Sequence, residues 1–305
     1  MTAILKKTKY SILITTKNRS ADLAYTLSKL EDLLLRDDVL CVVTDDGSSD
    51  DTTDFVKKHY PQVVLYTNKV SKGYLFCRNR MLNQSQSEYC ISLDDDAHFV
   101  TENPLEAIDS TFKKFPRAGV LALRIIWTKA DTFTSFTDDK ILPVQSFVGC
   151  GHVWRRDVWR TIPDYPEWFI FYGEENFASY HLYKINMDVI YTPGVLVQHR
   201  VDLKSRRLQN DYGLRLRRSL FTGWSLFFLF YPKAYILRRL AYSIWMQIKL
   251  KVLKGDVIAL KSLILAFFDL LIASPKFIRQ RNALSKSQFK AFQEVHTAII
   301  YWTPK

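Results

Sequence analysis

The segment Leu93-Asp94-Asp95-Asp96-Ala97 sets three carboxylates at the end of an apolar run, Tyr89-Cys90-Ile91-Ser92-Leu93. The run reads as a short buried strand, and a strand that stops abruptly on acids is rare in a pure scaffold. Like charges held close repel and raise each other's pKa unless a cation lies between them. Carboxylate oxygens suit hard divalent ions such as Mg²⁺ or Mn²⁺, and those ions suit phosphate. An Asp-x-Asp pair at the carboxyl end of a strand therefore reads as a metal-diphosphate site. The competing reading of these residues alone is a solvated acidic turn.

The surroundings favour the site. Tyr10–Thr16, Asp38–Thr44, Gln62–Tyr66 and Tyr89–Leu93 read as buried strands, and Ala21–Leu35, Asp51–Tyr60 and Lys72–Gln84 carry helical spacing between them. Short apolar strands alternating with helices predict an α/β fold, a mostly parallel sheet covered on both faces. Ligands of such sheets bind at the carboxyl ends of the strands. Asp45-Asp46 and Asp94-Asp95-Asp96 both fall at such ends. Further on, Pro104–Phe115 predicts a helix, Gly119–Ile126 a strand, residues 128–143 a polar loop, and Tyr172-Gly173-Glu174-Glu175 the opening of a helix to about Ile185. Asp188–Pro193 and Val195–His199 predict two more short strands.

With 305 residues and 48% hydrophobic content the chain can bury a large core. Cys41, Cys77, Cys90 and Cys150 are widely spaced and form no CxxC pair, which fits a reducing compartment. Met1–Lys7 lacks a signal-peptide core. Charge is uneven: from residue 201 onward there are 19 Lys and Arg against five Asp and Glu, whereas the first 200 residues are close to neutral. A basic tail points to an anionic partner, a membrane surface or a nucleic acid. Leu220–Tyr231, Tyr235–Val252 and Val257–Ala273 are apolar with interleaved Lys and Arg, but none offers about 20 uninterrupted apolar residues, which a spanning helix needs. Lys261 and Asp269 interrupt the longest stretch. Basic amphipathic helices lying on an anionic membrane are expected; the alternative is a helical subdomain packed on the core or on a second copy. No nucleic-acid-binding signature is present.

The ordered motifs resemble family 2 glycosyltransferases with the GT-A fold. Thr15-Thr16-Lys17-Asn18-Arg19 and Val42-Val43-Thr44-Asp45-Asp46-Gly47-Ser48-Ser49 are similar to that family's opening, and Lys72-Gly73 with Arg78-Asn79 to the segment before its metal motif. Leu93–Ala97 resembles the metal motif itself. Gly149–Arg156 resembles the small-residue strand with its Arg-Arg turn, Phe171–Glu175 the acid motif, and Pro193–His199 the closing strand and histidine. The resemblance covers roughly residues 9–200. It implies a GT-A (Rossmann-like) mixed, mostly parallel sheet with helices on both faces over residues 1–205, followed by a basic helical region over 206–305.

The resemblance further implies inverting transfer of a sugar from a UDP-, GDP- or dTDP-sugar to a hydroxyl of a glycan or lipid-linked acceptor. Mn²⁺ or Mg²⁺ would be held by Asp96 with Asp94 nearby and His199 as a third ligand, neutralising the diphosphate leaving group. Glu175 would be the general base, with Glu174 as its alternative. Asp45 and Thr15 would line the pocket of the donor's base, Asp94 would meet ribose or metal, and Arg78 would lie near base or diphosphate. Each has a plainer reading: a turn residue for Asp45, a helix-dipole partner for Glu175, a surface charge for Arg78, a structural histidine for His199. His98 and His152 are expected to be structural, Trp127, Trp154 and Trp168 to pack in the core, and Gly149 and Gly151 to allow close backbone approach. The chain departs from the family pattern in having Glu175 where Asp is usual and Phe177 two residues on, and it has no Gln-x-x-Arg-Trp, so single addition is expected. Resemblance and tail together suggest surface-polysaccharide synthesis on the cytoplasmic face of a bacterial membrane, with a homo-oligomer possible. Two alternatives remain at this level. A sugar nucleotidyltransferase would want glycine in the Thr16–Ser20 loop, which has none. A non-catalytic membrane- or nucleic-acid-binding protein would leave both acidic strand ends unexplained.

Overall fold

Side chains of strand β1 (Tyr10–Thr16) alternate between two separate apolar clusters: Leu13 joins one, and Ile12 and Ile14 the other. Strands β2 (Val39–Asp45) and β4 (Tyr89–Asp94) repeat this, with Val42 and Cys90 on the Leu13 side and Cys41, Val43 and Ile91 opposite. A strand buried on both faces has to read as a continuous apolar run, as these do. The computed structural model describes residues 6–201 and 211–304.

The elements run β1, α1 (Ser20–Lys29), α2 (Glu31–Leu34), β2, α3 (Thr52–His59), β3 (Val64–Thr67), α4 (Tyr74–Gln84), β4, β5 (Ala97–Phe99), α5 (Pro104–Lys114), β6 (Ala118–Trp127), β7 (Leu142–Val144), β8 (Gly151–Arg155), α6 (Arg156–Trp159), α7 (Glu174–Lys184), β9 (Asp188–His199). The tail adds α8 (Tyr212–Phe230), α9 (Lys233–Leu250), α10 (Val257–Ile272), α11 (Ser274–Gln280) and α12 (Lys286–Glu294). One mixed sheet runs β3-β2-β1-β4-β8-β6-β9-β5, with β7 also on β9. β3, β2, β1 and β4 are mutually parallel, as are β6 and β9; β8 is antiparallel to β4 and β6, and β5 and β7 to β9. Helices α1, α3 and α5 supply Leu23, Leu27, Val56, Ile108 and Phe112 to the Ile12 side. Helices α4 and α7 supply Leu75, Met81, Ala178 and Leu182 to the Leu13 side.

Three local expectations change. The helix expected over Ala21–Leu35 breaks at Leu30, whose N–H bonds back to Leu27 and whose side chain is anchored in the core. The two strands expected at Asp188–Pro193 and Val195–His199 are one strand. Opposite it, Thr192 pairs with Leu123 and Leu196 with Arg124, so Pro193, Gly194 and Val195 form a bulge. Proline has no N–H for the ladder, and a bulge is where a strand tolerates it. The polar loop after Trp127 ends in a third departure, since Leu142–Val144 pairs with β9.

The tail is joined to the sheet by a continuous core. Helix α8 buries Leu220, Phe221, Trp224, Leu226, Leu229 and Phe230 in the same cluster as Leu13 and Val42, so the membrane-lying reading does not hold for this helix. Helix α12 opens with a capping box between Ser285 and Gln288 and packs Phe292 against the Tyr180 and Tyr183 rings of α7. Trp302 then bridges to Ile126 of β6, with the Arg124 guanidinium 4.4 Å over its ring. The division expected between residues 205 and 206 lies outside the described residues. No single described helix is long and apolar enough to cross a membrane; α10 with α11 reaches that length and composition only as a pair bent by 53°.

Candidate active site

Asp94 is the last residue of β4, and the chain turns at once into β5. Ala97 of β5 pairs with His199 of β9, which sets the imidazole beside the carboxylates. His199 Nε2 lies 2.9 Å from Asp96 Oδ1 and 3.9 Å from Asp94 Oδ2. One donor atom from each of the three residues lies within 4.8 Å of the others. Two carboxylates and an imidazole make a donor set that suits Mn²⁺ or Mg²⁺. The His199 ring packs against Trp127 at 4.4 Å, and its Nδ1 is buried without a partner.

Arg19, from the turn after β1, completes this cluster. Its Nη2 donates to Asp96 Oδ2 at 2.7 Å, and its Nη1 lies 3.4 Å from Asp95 Oδ1. Arg19 therefore occupies one oxygen of Asp96 and leaves the other facing His199. Burial pushes the Asp96 carboxyl up, but the bond from His199 and the charges of His199 and Arg19 outweigh it and hold it well below the usual carboxylate range. Asp95 turns to the other face, accepts from Thr16 Oγ1 at 2.8 Å, and is pushed up to about 7 by burial, against the pull of Arg19. Asp95 is thus outside the donor set. A group that orients a ligand carboxylate typically contributes about 10–100-fold in metal affinity. Arg19→Ala is accordingly expected to weaken Mn²⁺ binding by about that factor, read by electron paramagnetic resonance. Arg19→Lys should recover only part, because an ammonium cannot reproduce the planar fork; unchanged Mn²⁺ affinity in Arg19→Ala would remove this role.

Arg78 links the metal side to the acid pair. From within α4, fully enclosed, its Nη2 donates to Asp94 Oδ1 at 2.6 Å and to the Gly149 carbonyl at 2.9 Å, while its Nη1 lies 3.5 Å from Glu174 Oε1. Glu174 opens α7 after Gly173, which sits at φ 85°, where a side chain would be strained. The preceding Ile170 and Tyr172 also have positive φ, at 65° and 71°. Such residues persist only where packing holds them, and here they aim the helix start at the site. Glu174 is buried, accepts from the Tyr74 hydroxyl, and keeps its Oε2 unpartnered. Burial raises its pKa, against Arg78 and the Tyr74 bond. Glu175 is less enclosed, yet burial and then the Glu174 charge push it up to about 8. Gly149 is a close-approach glycine: a Cβ there would lie 2.6 Å from Glu175 Oε1 and 3.1 Å from Arg78 Nη1.

On the Leu13 side of the sheet, Thr15, Thr44 and Tyr66 stand in register across β1, β2 and β3, with Asp94 opposite Thr15 on β4. The hydroxyls of all three are buried and unpartnered. Buried polar groups are nearly always hydrogen-bonded, so such a row offers its bonds to a ligand. Asp45 is not in this row. Strand alternation turns it to the other face, where its carboxylate accepts from Ser48 N–H at 2.9 Å and from Thr53 Oγ1. Its neighbour Asp46 accepts from Asn68, Ser71, Lys72 N–H and Gly73 N–H and so fixes the loop that leads into α4. The structure therefore links Glu174, Arg78, Asp94, Asp96 and His199 through side-chain contacts, with Glu175 next to Glu174 and Thr15 beside Asp94, and sets Asp45 apart on the other face of β2. Sequence reasoning gave no role to Arg19, Asp46 or Tyr74. The first two lay inside quoted motifs, but nothing in their spacing says which atoms they meet. His98 meets Arg200 Nη1 at 2.8 Å, and His152 and Trp154 are fully buried.

The sequence model of the family described as Glycosyl transferase family 2 matches residues 11–177. No curated protein matches the sequence. Among solved structures, the mannosyltransferase PcManGT from Pyrobaculum calidifontis, in complex with GDP-Man and Mn²⁺, is similar over 94% of this chain and 79% of its own, with 15% identity and a TM-score of 0.55. GalNAc-T7 with UDP, GalNAc and Mn²⁺ is similar over 71% of this chain, with 13% identity and a TM-score of 0.53; the chain spans half of that structure's length, 50%. TarS of S. aureus in complex with UDP-GlcNAc is similar over 72% of this chain and 67% of its own, with 16% identity and a TM-score of 0.51. Likeness at these identities establishes the fold, which is GT-A.

Proposed function

The chain belongs to glycosyl transferase family 2, and from that premise we propose that it is an inverting enzyme moving one sugar from a nucleoside-diphosphate donor to a hydroxyl of a glycan or lipid-linked acceptor. The observation that carries this reading is Arg78, which joins Asp94 on the metal side to Glu174 on the acid side and so makes one cleft of two half-sites.

In that cleft the acceptor O–H gives its proton to Glu175 while its oxygen attacks the anomeric carbon. The bond from that carbon to the diphosphate oxygen breaks, and its electron pair leaves with the diphosphate. A single displacement inverts the anomeric centre. Glu174 is committed to Tyr74 and Arg78 and serves as an anchor; Glu175 has the freer carboxylate and the raised pKa a base needs. Asp94, Asp96 and His199 would hold Mn²⁺ or Mg²⁺, which supplies Lewis-acid stabilisation of the leaving diphosphate. Arg78 adds a fixed positive charge beside Asp94. Thr15, Thr44 and Tyr66 bond the nucleoside, and Asp45 shapes its pocket through the turn to α3 rather than by direct contact with the base.

The reading extends to location. All four cysteines are free and buried, which fits a reducing compartment, and the basic tail fits a protein held peripherally on the cytoplasmic face of an anionic membrane where the acceptor is presented. Calorimetry with UDP, GDP and dTDP, each with Mn²⁺, with Mg²⁺ and with chelator, tests the core of the proposal. One nucleotide is expected to bind in a metal-dependent manner, in about the micromolar to millimolar range. If a cooperatively melting sample binds none of them, the transferase reading fails.

A further inference from the structure

A helix that is apolar all round has to be covered all round. Helix α10 comes close to this, with only Lys261, Ser262 and Asp269 among its apolar residues, and the protein covers only half of it. Ala259, Ser262, Leu263, Ala266 and Leu270 are buried. At 3.6 residues per turn, Val257, Leu260, Ile264, Phe268 and Leu271 fall on the opposite half, and they are between 39% and 74% exposed. Ile258 and Ile272 flank that stripe at 56% and 79%. A shallow recess of about 240 Å³ opens along it, lined by Val257, Leu260, Lys261, Ile264 and Leu265.

The charges around the stripe have one sign. Lys261 lies beside it and Lys254 precedes the helix, both exposed, whereas the Lys276 ammonium of α11 lies 5.2 Å over the Trp168 ring and is turned elsewhere. The acids nearby are occupied. Asp269, on the inner flank, is bound by Arg217 of α8 through Nε and Nη2, both at 2.6 Å. Asp256 caps the helix by accepting from Ala259 N–H and also accepts from the Tyr212 hydroxyl. A second copy of the chain would cover the apolar stripe but bring this basic rim against itself, since a two-fold contact pairs each surface with its own like. An anionic bilayer answers both the apolar stripe and the charge.

We propose that the outer face of α10 inserts into the boundary between headgroups and acyl chains of an anionic lipid bilayer, with Lys254 and Lys261 on the lipid phosphates. This rests on the membrane-surface reading above and narrows it to one helix face. The helix, about 24 Å long, lies in the plane of the membrane, because its inner half is already packed on protein.

Flotation of the full-length protein with phosphatidylcholine vesicles, with and without phosphatidylglycerol, tests this. Wild-type protein is expected to float with the phosphatidylglycerol vesicles and to be released by salt. The variant Ile264→Glu/Phe268→Glu should lose at least about tenfold in partitioning. A second variant, Lys254→Glu/Lys261→Glu, should lose the preference for phosphatidylglycerol. Both should keep wild-type nucleotide binding in the calorimetric assay, which shows them folded. Wild-type protein that stays unbound, an Ile264→Glu/Phe268→Glu variant that floats like wild type, or a wild-type dimer that this variant separates would overturn the proposal. The two readings fail separately: flotation without nucleotide binding removes the transferase reading and leaves the insertion face, and nucleotide binding without flotation does the reverse.

Discussion

Asp96→Asn is expected to abolish sugar transfer, with a loss of about 10³-fold or more, and to remove metal-dependent nucleotide binding. Asparagine keeps the shape of the side chain and its ability to accept from Arg19, but it brings no charge to the donor set with Asp94 and His199. The neutral variant is also expected to melt somewhat lower at pH 7. The Asp96 carboxyl is held below its unfolded value, so its contribution to stability is present above about pH 4, and is lost as pH falls through the folded value. Turnover and calorimetry with Mn²⁺ decide the matter. Retention of a tenth or more of wild-type turnover would sink the assignment of Asp96 to the metal.

Glu175→Gln is expected to lower kcat/KM by about 10²–10⁴-fold while raising thermal stability. The base must be ionised to accept the proton, so wild-type kcat/KM should rise with pH toward about 8, and the variant should lose that rise. Stability moves the other way. The folded pKa of Glu175 lies above the unfolded value of about 4.3, because burial and the Glu174 charge disfavour the ionised form. Between those two values the unfolded chain releases a proton that the folded chain retains, so stability falls as pH rises across that window. Glutamine does not titrate and escapes this loss; a gain of about 1 kcal/mol corresponds to roughly 2–4 °C in Tm. Glu174→Gln offers the contrast. It disturbs the bonds to Tyr74 and Arg78, so activity should fall, but the rise of kcat/KM with pH should persist in what remains. A pH profile unchanged in Glu175→Gln would move the base elsewhere.

The two substitutions separate the halves of the site because sequence distance hides how they meet. Asp96 and Glu175 lie on elements far apart in the chain, and Arg78 is the side chain that reaches toward both halves. In the sequence, Arg78 on a helix reads as a contact of the donor's base or diphosphate, with a surface charge as the plainer alternative. Burial in the structure rules out the surface charge, since the guanidinium is enclosed and paired with Asp94 and Glu174. The same holds for His199, whose approach to Asp96 depends on Ala97 pairing with it across β5 and β9. Asp45 shows the reverse. Its motif was clear, but the pleat decides which face a strand residue meets, and Asp45 faces α3 while Thr15 faces the cleft.

By itself, the sequence determined the parallel half of the sheet, because strands buried on both faces must be continuous apolar runs. It determined the acidic strand ends as well, because carboxylates cannot be hidden among apolar side chains without a partner. It also determined that the tail is helical, basic and apolar. Only the tertiary structure decided which of its helices is core and which is free. Helix α10 is the more apolar of the two, with one Lys and one Asp against three Arg in α8, yet α8 lies in the cluster with Leu13 and α10 keeps one half outside. Composition sets how much apolar surface a helix must bury, whereas what covers that surface depends on neighbours brought together from distant parts of the chain.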